Sequence, residues 1–158
     1  RDGQSIYFRS NSSGSSEIWK MPGTGGEAVR ITRNTGDLPE ESPDGEFLYY
    51  MKGEGYPKQC SLWRMPTGGG EETRVVDSTS CQGPYAVWKE GIYFLTRSDQ
   101  QEHRNLNLYD FSTGKTRKIP SVELPDAMFI AVSPDGQTIL YTHYDQAGSD
   151  LMLVENFH

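Results

Sequence analysis

Apolar residues in this chain come in short bursts, many of them aromatic or β-branched, interrupted at close intervals by Gly, Pro, Asn, Asp or Ser. Ile6-Tyr7-Phe8, Phe47-Leu48-Tyr49-Tyr50-Met51, Gly91-Ile92-Tyr93-Phe94-Leu95 and Ile139-Leu140-Tyr141 are of this kind. Runs this short, bounded by turn formers, predict strands, and no stretch carries the 3.6-residue period of an amphipathic helix. The expectation is an all-β protein.

The bursts repeat in order. Asp2-Gly3, Asp44-Gly45, Glu90-Gly91 and Asp135-Gly136 each precede one of them, and the four glycines follow one another at 42, 46 and 45 residues. A second line returns as Glu17-Ile18-Trp19-Lys20-Met21-Pro22, Ser61-Leu62-Trp63-Arg64-Met65-Pro66, Asn107-Leu108-Tyr109-Asp110-Phe111 and Asp150-Leu151-Met152-Leu153-Val154. In this alignment Trp19, Trp63, Tyr109 and Met152 share one slot. A third line carries Gly26, Gly70 and Gly114, spaced by 44 and 44. A period of about 40–45 residues containing four short strands is that of a β-propeller blade. We therefore expect four-stranded antiparallel blades near residues 2–32, 37–76, 81–120 and 127–157, in a single domain.

Within each blade the stretch before the Asp-Gly turn is the innermost strand A, and the stretch after it is strand B. The Trp-bearing line is strand C, and the Thr- and Arg-bearing line is strand D. The first copy lacks strand A and the last ends after strand C, so about three and a half to four blades are present, at or below the low end of closed propellers. The predicted ring is partial. Either flanking sequence completes it, or copies associate through open edge strands rich in apolar residues.

Composition narrows the function. A net charge of −7 argues against nucleic-acid binding by this segment, because phosphate neutralisation needs a basic stripe. No apolar run is long enough to insert into a membrane. The start at Arg1-Asp2-Gly3, already inside a repeat, suggests a piece of a longer protein. Each Asp-Gly reads as turn chemistry rather than a calcium loop, and no metal site is expected. Asp145 to Asp150 is the one acidic stretch near a glycine that would join such a site. The runs Gly23 to Gly26 and Gly68 to Gly70 lack the Gly-Lys-Ser/Thr context of a phosphate cradle and read as hairpin turns. His103, His143 and His158 stand apart, and no Gly-x-Ser-x-Gly elbow occurs. We expect no catalytic residues, no cofactor and no enzymatic activity.

Ser42-Pro43-Asp44-Gly45 and Ser133-Pro134-Asp135-Gly136, each followed by an Ile-Tyr-Phe-type strand, resemble the repeats of the TolB-like, WD-repeat-like β-propeller family. Glu41 stands where that family carries a Trp before the turn. The Trp-Lys-Met-Pro and Gly-Gly-Glu lines further resemble propellers fused behind bacterial winged-helix regulators or serine/threonine kinase domains. The resemblance implies an extracytoplasmic, periplasmic location and a non-enzymatic sensor or protein-binding role. A self-assembling scaffold and an accessory propeller of a hydrolase are the alternatives.

In a propeller the B–C and D–A connections share one face, and variable loops on a rigid scaffold are where binding concentrates. Tyr56, Tyr85, Arg97 and His143 fall in or beside these connections and are the residue types suited to hold a protein or peptide partner. Cys60 and Cys81 also fall on this face, as a bridged pair or as two separate thiols.

Overall fold

The computed structural model describes residues 2–53, 60–81, 85–97, 103–125, 127 and 129–142. Thirteen strands occur in these segments: β1 Ser5–Ser10, β2 Glu17–Pro22, β3 Val29–Arg30, β4 Asp37–Glu41, β5 Phe47–Gly53, β6 Cys60–Pro66, β7 Thr73–Thr79, β8 Ala86–Trp88, β9 Gly91–Arg97, β10 His103–Asp110, β11 Lys115–Pro125, β12 Ile130–Val132 and β13 Ile139–Tyr141. There is no helix among the described residues. Four antiparallel sheets run β1-β2-β3, β4-β5-β6-β7, β8-β9-β10-β11 and β12-β13. These are the blades of a partial propeller; among the described residues the first shows three strands and the last two.

The Ser-Pro-Asp-Gly motif explains itself in hydrogen bonds. Ser42 Oγ donates to Asp44 Oδ1 and accepts from Phe47 N, while Asp44 Oδ1 also accepts from Glu46 N. The Ser133, Asp135, Gln137 and Thr138 set repeats this pattern bond for bond. Gly3, Gly45 and Gly136 adopt φ of 75°, 74° and 73°, the left-handed conformation such turns require. The third copy obeys a different rule. Lys89 and Glu90 form a two-residue turn with Trp88 paired to Gly91. Gly91 is glycine because a Cβ there would run into the Tyr109 carbonyl oxygen.

Register corrects one part of the repeat alignment. Ile6 pairs with Met21, Leu48 with Met65 and Ile92 with Tyr109. Tyr109 thus occupies the Met21 and Met65 position, and Asn107, opposite Phe94, takes the slot of Trp19 and Trp63. Matching aromatic to aromatic misplaced the third strand C by two residues, a shift that preserves the strand face and so leaves the apolar alternation intact. Strands D also run further than the repeat predicts. β7 reaches Thr79 and β11 reaches Pro125, so residues 77–79 and 121–125, expected as parts of the D–A loops over 77–83 and 121–126, are strand.

Blades stack face to face, and alternate residues of each strand serve opposite neighbours. Leu48 and Tyr50 of β5 pack with Ile18 and Met65, against Tyr7 and Ile31 of the first blade. Tyr49 and Met51 of the same strand turn the other way, joining Tyr85, Val87, Ile92 and Phe94 of the third blade. Leu95 and Leu106 face onward to Ile130. This two-sided demand is why strands B read as continuous apolar runs. Ile6 is the exception that shows the rule: the equivalent Leu48 and Ile92 are 1% and 0% exposed, whereas Ile6 is 46% exposed.

Innermost strands are also tied to one another. Tyr85 Oη donates to the Leu38 carbonyl at 2.6 Å, and Val87 N donates to Glu40 Oε1 at 3.1 Å. Trp88 lies against the Gly136 turn of the next blade. Glu41, in the place of the expected Trp, does not prevent the second strand A from forming. β4 pairs with β5 across a register shift between Asp37 and Glu40, and the Glu40 carboxylate caps the edge amide of β8.

Candidate binding face

The described strand ends that lead into the B–C and D–A connections lie on one side of the sheets, and the structure forms a cavity there. Its volume is about 230 Å³, and its walls come from three consecutive parts of the chain. Ser16 lies just before β2. Thr35, Gly36, Asp37 and Leu38 form the crossing from the first blade into β4. Met51, Gly53, Cys60 and Cys81 close the far side from the second blade.

Cys60 and Cys81 are joined by a disulfide, with Cα atoms 5.0 Å apart. The bond links the first residue of strand C to the D–A connection of its own blade. It stands beside the crossing from the first blade, so it also walls the cavity. A closed loop of this kind restricts the unfolded chain more than the folded one.

The opposite wall is held in an uncommon conformation. Thr35 and Leu38 have φ of 66° and 50°, the left-handed region that non-glycine residues rarely enter. Gly36 between them has no room for a side chain, since a Cβ would press on Thr32 Oγ1 and the Ile18 side chain. Polar contacts fix the bend. Gly36 N donates to the Ser16 carbonyl, Leu38 N donates to Asp37 Oδ1, and Arg9 Nη1 donates to Asp37 Oδ2 at 2.8 Å. Backbone strain held by surrounding contacts in this way concentrates at functional sites.

Beneath the crossing lies Glu17, only 1% exposed. Thr32 Oγ1 donates to its Oε2 at 2.6 Å and Ser15 Oγ to its Oε1 at 3.0 Å. Burial by itself would raise this carboxyl, but bonds from Thr32, Ser15 and the Thr35 backbone, with the nearby charge of Arg30, outweigh it. The result lies below the ordinary 4.5.

The residues nominated from sequence separate here. Tyr85 is 5% exposed and its hydroxyl is committed to Leu38, so it is a packing residue and not a surface contact. Burial drives its phenol well above the ordinary 10.0, with the charges of Glu40 and Asp37 adding to the effect. Its ring is the apolar filling between the second and third blades, a role the sequence alone does not distinguish from an exposed aromatic anchor. Arg97 ends β9 on the loop face and is exposed. Tyr56 and His143 lie outside the described residues, as does His158. His103 opens β10. The cavity residues Asp37, Leu38 and Met51 were not singled out from sequence. The available signal was the D–A connection over residues 33–39, which holds Asp37 and Leu38 and reads as one of the variable loops of the binding face. Among the described residues no three metal-ligating side chains converge.

No known family profile matches the chain, and no curated protein matches it by sequence. Solved structures do. TolB from Acinetobacter baumannii superposes with a TM-score of 0.73 at 18% identity, covering 93% of this chain and 37% of its own. A TolB-type protein from Agrobacterium tumefaciens gives 0.68 at 22% identity, covering 90% and 56%. The fold is that of a TolB-like β-propeller. A prolyl endopeptidase structure also superposes, with a TM-score of 0.61 at 13% identity over 92% of this chain and 24% of its own. This TolB-like chain therefore spans about half or less of the length of each of these proteins.

Proposed function

We propose that this TolB-like propeller is a non-enzymatic binding and sensing module that recognises a protein or peptide through its B–C and D–A face. The observation that carries this reading is the contrast between the two faces of the stack. On the Asp-Gly face the turns repeat bond for bond in the second and fourth blades. On the opposite face the connecting sequences differ from blade to blade, and the crossing from the first blade into the second borders a strained, cross-linked cavity. A repeated face is built for stability and a varied face for recognition. The disulfide supports an extracytoplasmic, periplasmic location, where such bonds persist. A domain fused to the propeller, such as a regulator or kinase, would receive the signal.

The test is site-specific photocrosslinking in the intact producing cell. A photoreactive side chain at Ser12 or Arg97, on the loop face, is expected to give discrete protein adducts, and one at Gly25 or Thr113, on the opposite face, is not. Equal labelling from both faces, or none from the loop face, overturns the reading.

A second reading, self-assembly, draws on Ile6. Its 46% exposure leaves open on the first blade a position that the second and third blades bury against a neighbour.

A further inference from the structure

Resting on the reading of the loop face as the recognition surface, we infer that the cavity beside the Cys60–Cys81 disulfide is an anchor pocket for one aliphatic side chain of a peptide, of leucine or methionine size. Three observations lead there.

Size comes first. At about 230 Å³ the cavity falls short of the roughly 300–1,000 Å³ range of pockets that enclose a drug-sized ligand or cofactor. It suits a single side chain with the peptide backbone running across its mouth.

Chemistry comes second. The apolar surface is supplied by Leu38, Met51 and the cystine, and among the described residues the lining contains no aromatic ring on which an aromatic guest would stack. Met51 is 2% exposed, a deformable floor, while Leu38 is 38% exposed, more than an isolated core leucine would be. Charge does not select the guest. The Asp37 carboxylate already accepts from Arg9 and from the Leu38 amide.

Third is an unmatched polar atom. Ser16 is one of the lining residues, and its Oγ is buried without a hydrogen-bond partner among the described groups. Buried hydroxyls are ordinarily satisfied, and one left over in the wall of an apolar pocket is able to turn to a peptide amide or carbonyl once a guest enters. The left-handed residues Thr35 and Leu38 hold the Ser16 side and the Leu38 wall at a fixed separation, so the pocket exists before any guest arrives.

The experiment uses methyl-labelled methionine, of which the chain has 5. Met51→Leu assigns the reporter resonance, and buried Met65 serves as the internal control. The probe is N-acetyl-leucine methylamide, with the lysine and phenylalanine analogues as comparisons. The expected result is a saturable shift of the Met51 methyl with the leucine probe, an unmoved Met65, and no response to the lysine probe. The phenylalanine probe is expected to bind at least several-fold more weakly.

Leu38→Asn tests the wall without disturbing the backbone, because Asn tolerates the left-handed conformation. It should weaken the leucine probe about tenfold, and Ser16→Ala about threefold. A Met51 methyl that stays in place, responds equally to the lysine probe, or responds unchanged in Leu38→Asn overturns the pocket. Loop-face crosslinks without a Met51 response would sink the pocket and leave the wider reading standing. A Met51 response without loop-face crosslinks would do the reverse.

Discussion

Single carboxylates carry much of the local order. Glu17, Asp44 and Asp135 all sit below their ordinary values: Glu17 because Thr32, Ser15 and the Thr35 backbone outweigh burial, the two aspartates chiefly through the Ser42 and Ser133 hydroxyls. The sign follows from linkage. A carboxyl lowered on folding stabilises the protein above its unfolded value, and that stabilisation drains away as pH falls through the folded value. The melting temperature is therefore expected to hold from neutrality down to about 4.5, the ordinary glutamate value, and to fall below it. Glu17→Gln should flatten part of that acid limb, and an unchanged slope in thermal melts would remove Glu17 from the account. Gly91→Ala is expected to cost about 1–3 kcal/mol by urea denaturation, because the new methyl must displace the Tyr109 carbonyl. Sequence alignment found that glycine for the wrong reason. It read Glu90-Gly91 as a degenerate copy of the turn motif, whereas the structure needs the glycine for close approach.

Elements were legible where sequence repeats and physics agree. Strands B, with their apolar runs, and the Ser-Pro-Asp-Gly turns follow directly from residue type. Register did not, because it depends on which residues pair across the B–C connection, and Tyr109 looks like Trp63 until its partner Ile92 is known. The candidate site was less readable still. Leu38 reads as one residue of a D–A loop and Met51 as an ordinary strand residue, and only the crossing of the chain between blades brings them together at a cystine. Two consequences belong to this scale. Replacing both Cys60 and Cys81 by Ser should lower stability by about 3 kcal/mol, as expected for a loop closed across 21 residues, read as a shifted urea midpoint. Glu40→Ala leaves the Val87 amide without that acceptor and is expected to cost about 1–3 kcal/mol, with Glu40→Gln milder because it keeps an oxygen in place.

On the scale of the whole molecule, blades are interchangeable in what they ask of a neighbour. The first blade presents Ile6, with Phe8, Trp19 and Met21 at the register positions that Leu48, Tyr50, Trp63 and Met65 fill in the second. In the second blade that set is packed against its neighbour. A sheet face of this composition recruits a partner surface. Light scattering on residues 1–158 is expected to give a mass above the 17.8 kDa of one chain, rising with concentration. Ile6→Lys should return it toward one chain, and a concentration-independent monomer would show that this face is covered in another way.

Strand order in the sheets has a kinetic corollary. In the first three blades, and in the described pair of the fourth, each strand pairs within its sheet only with the strand before or after it in sequence. Pairings this local close small loops and cost little entropy, so each blade is able to assemble as its own length of chain becomes available, without waiting for distant segments. The Cys60–Cys81 link fits the same timetable, since both sulfurs belong to one blade and its exit. A chain emerging from its N-terminal end would thus have the second blade, and its covalent clasp, in place before the third had been made.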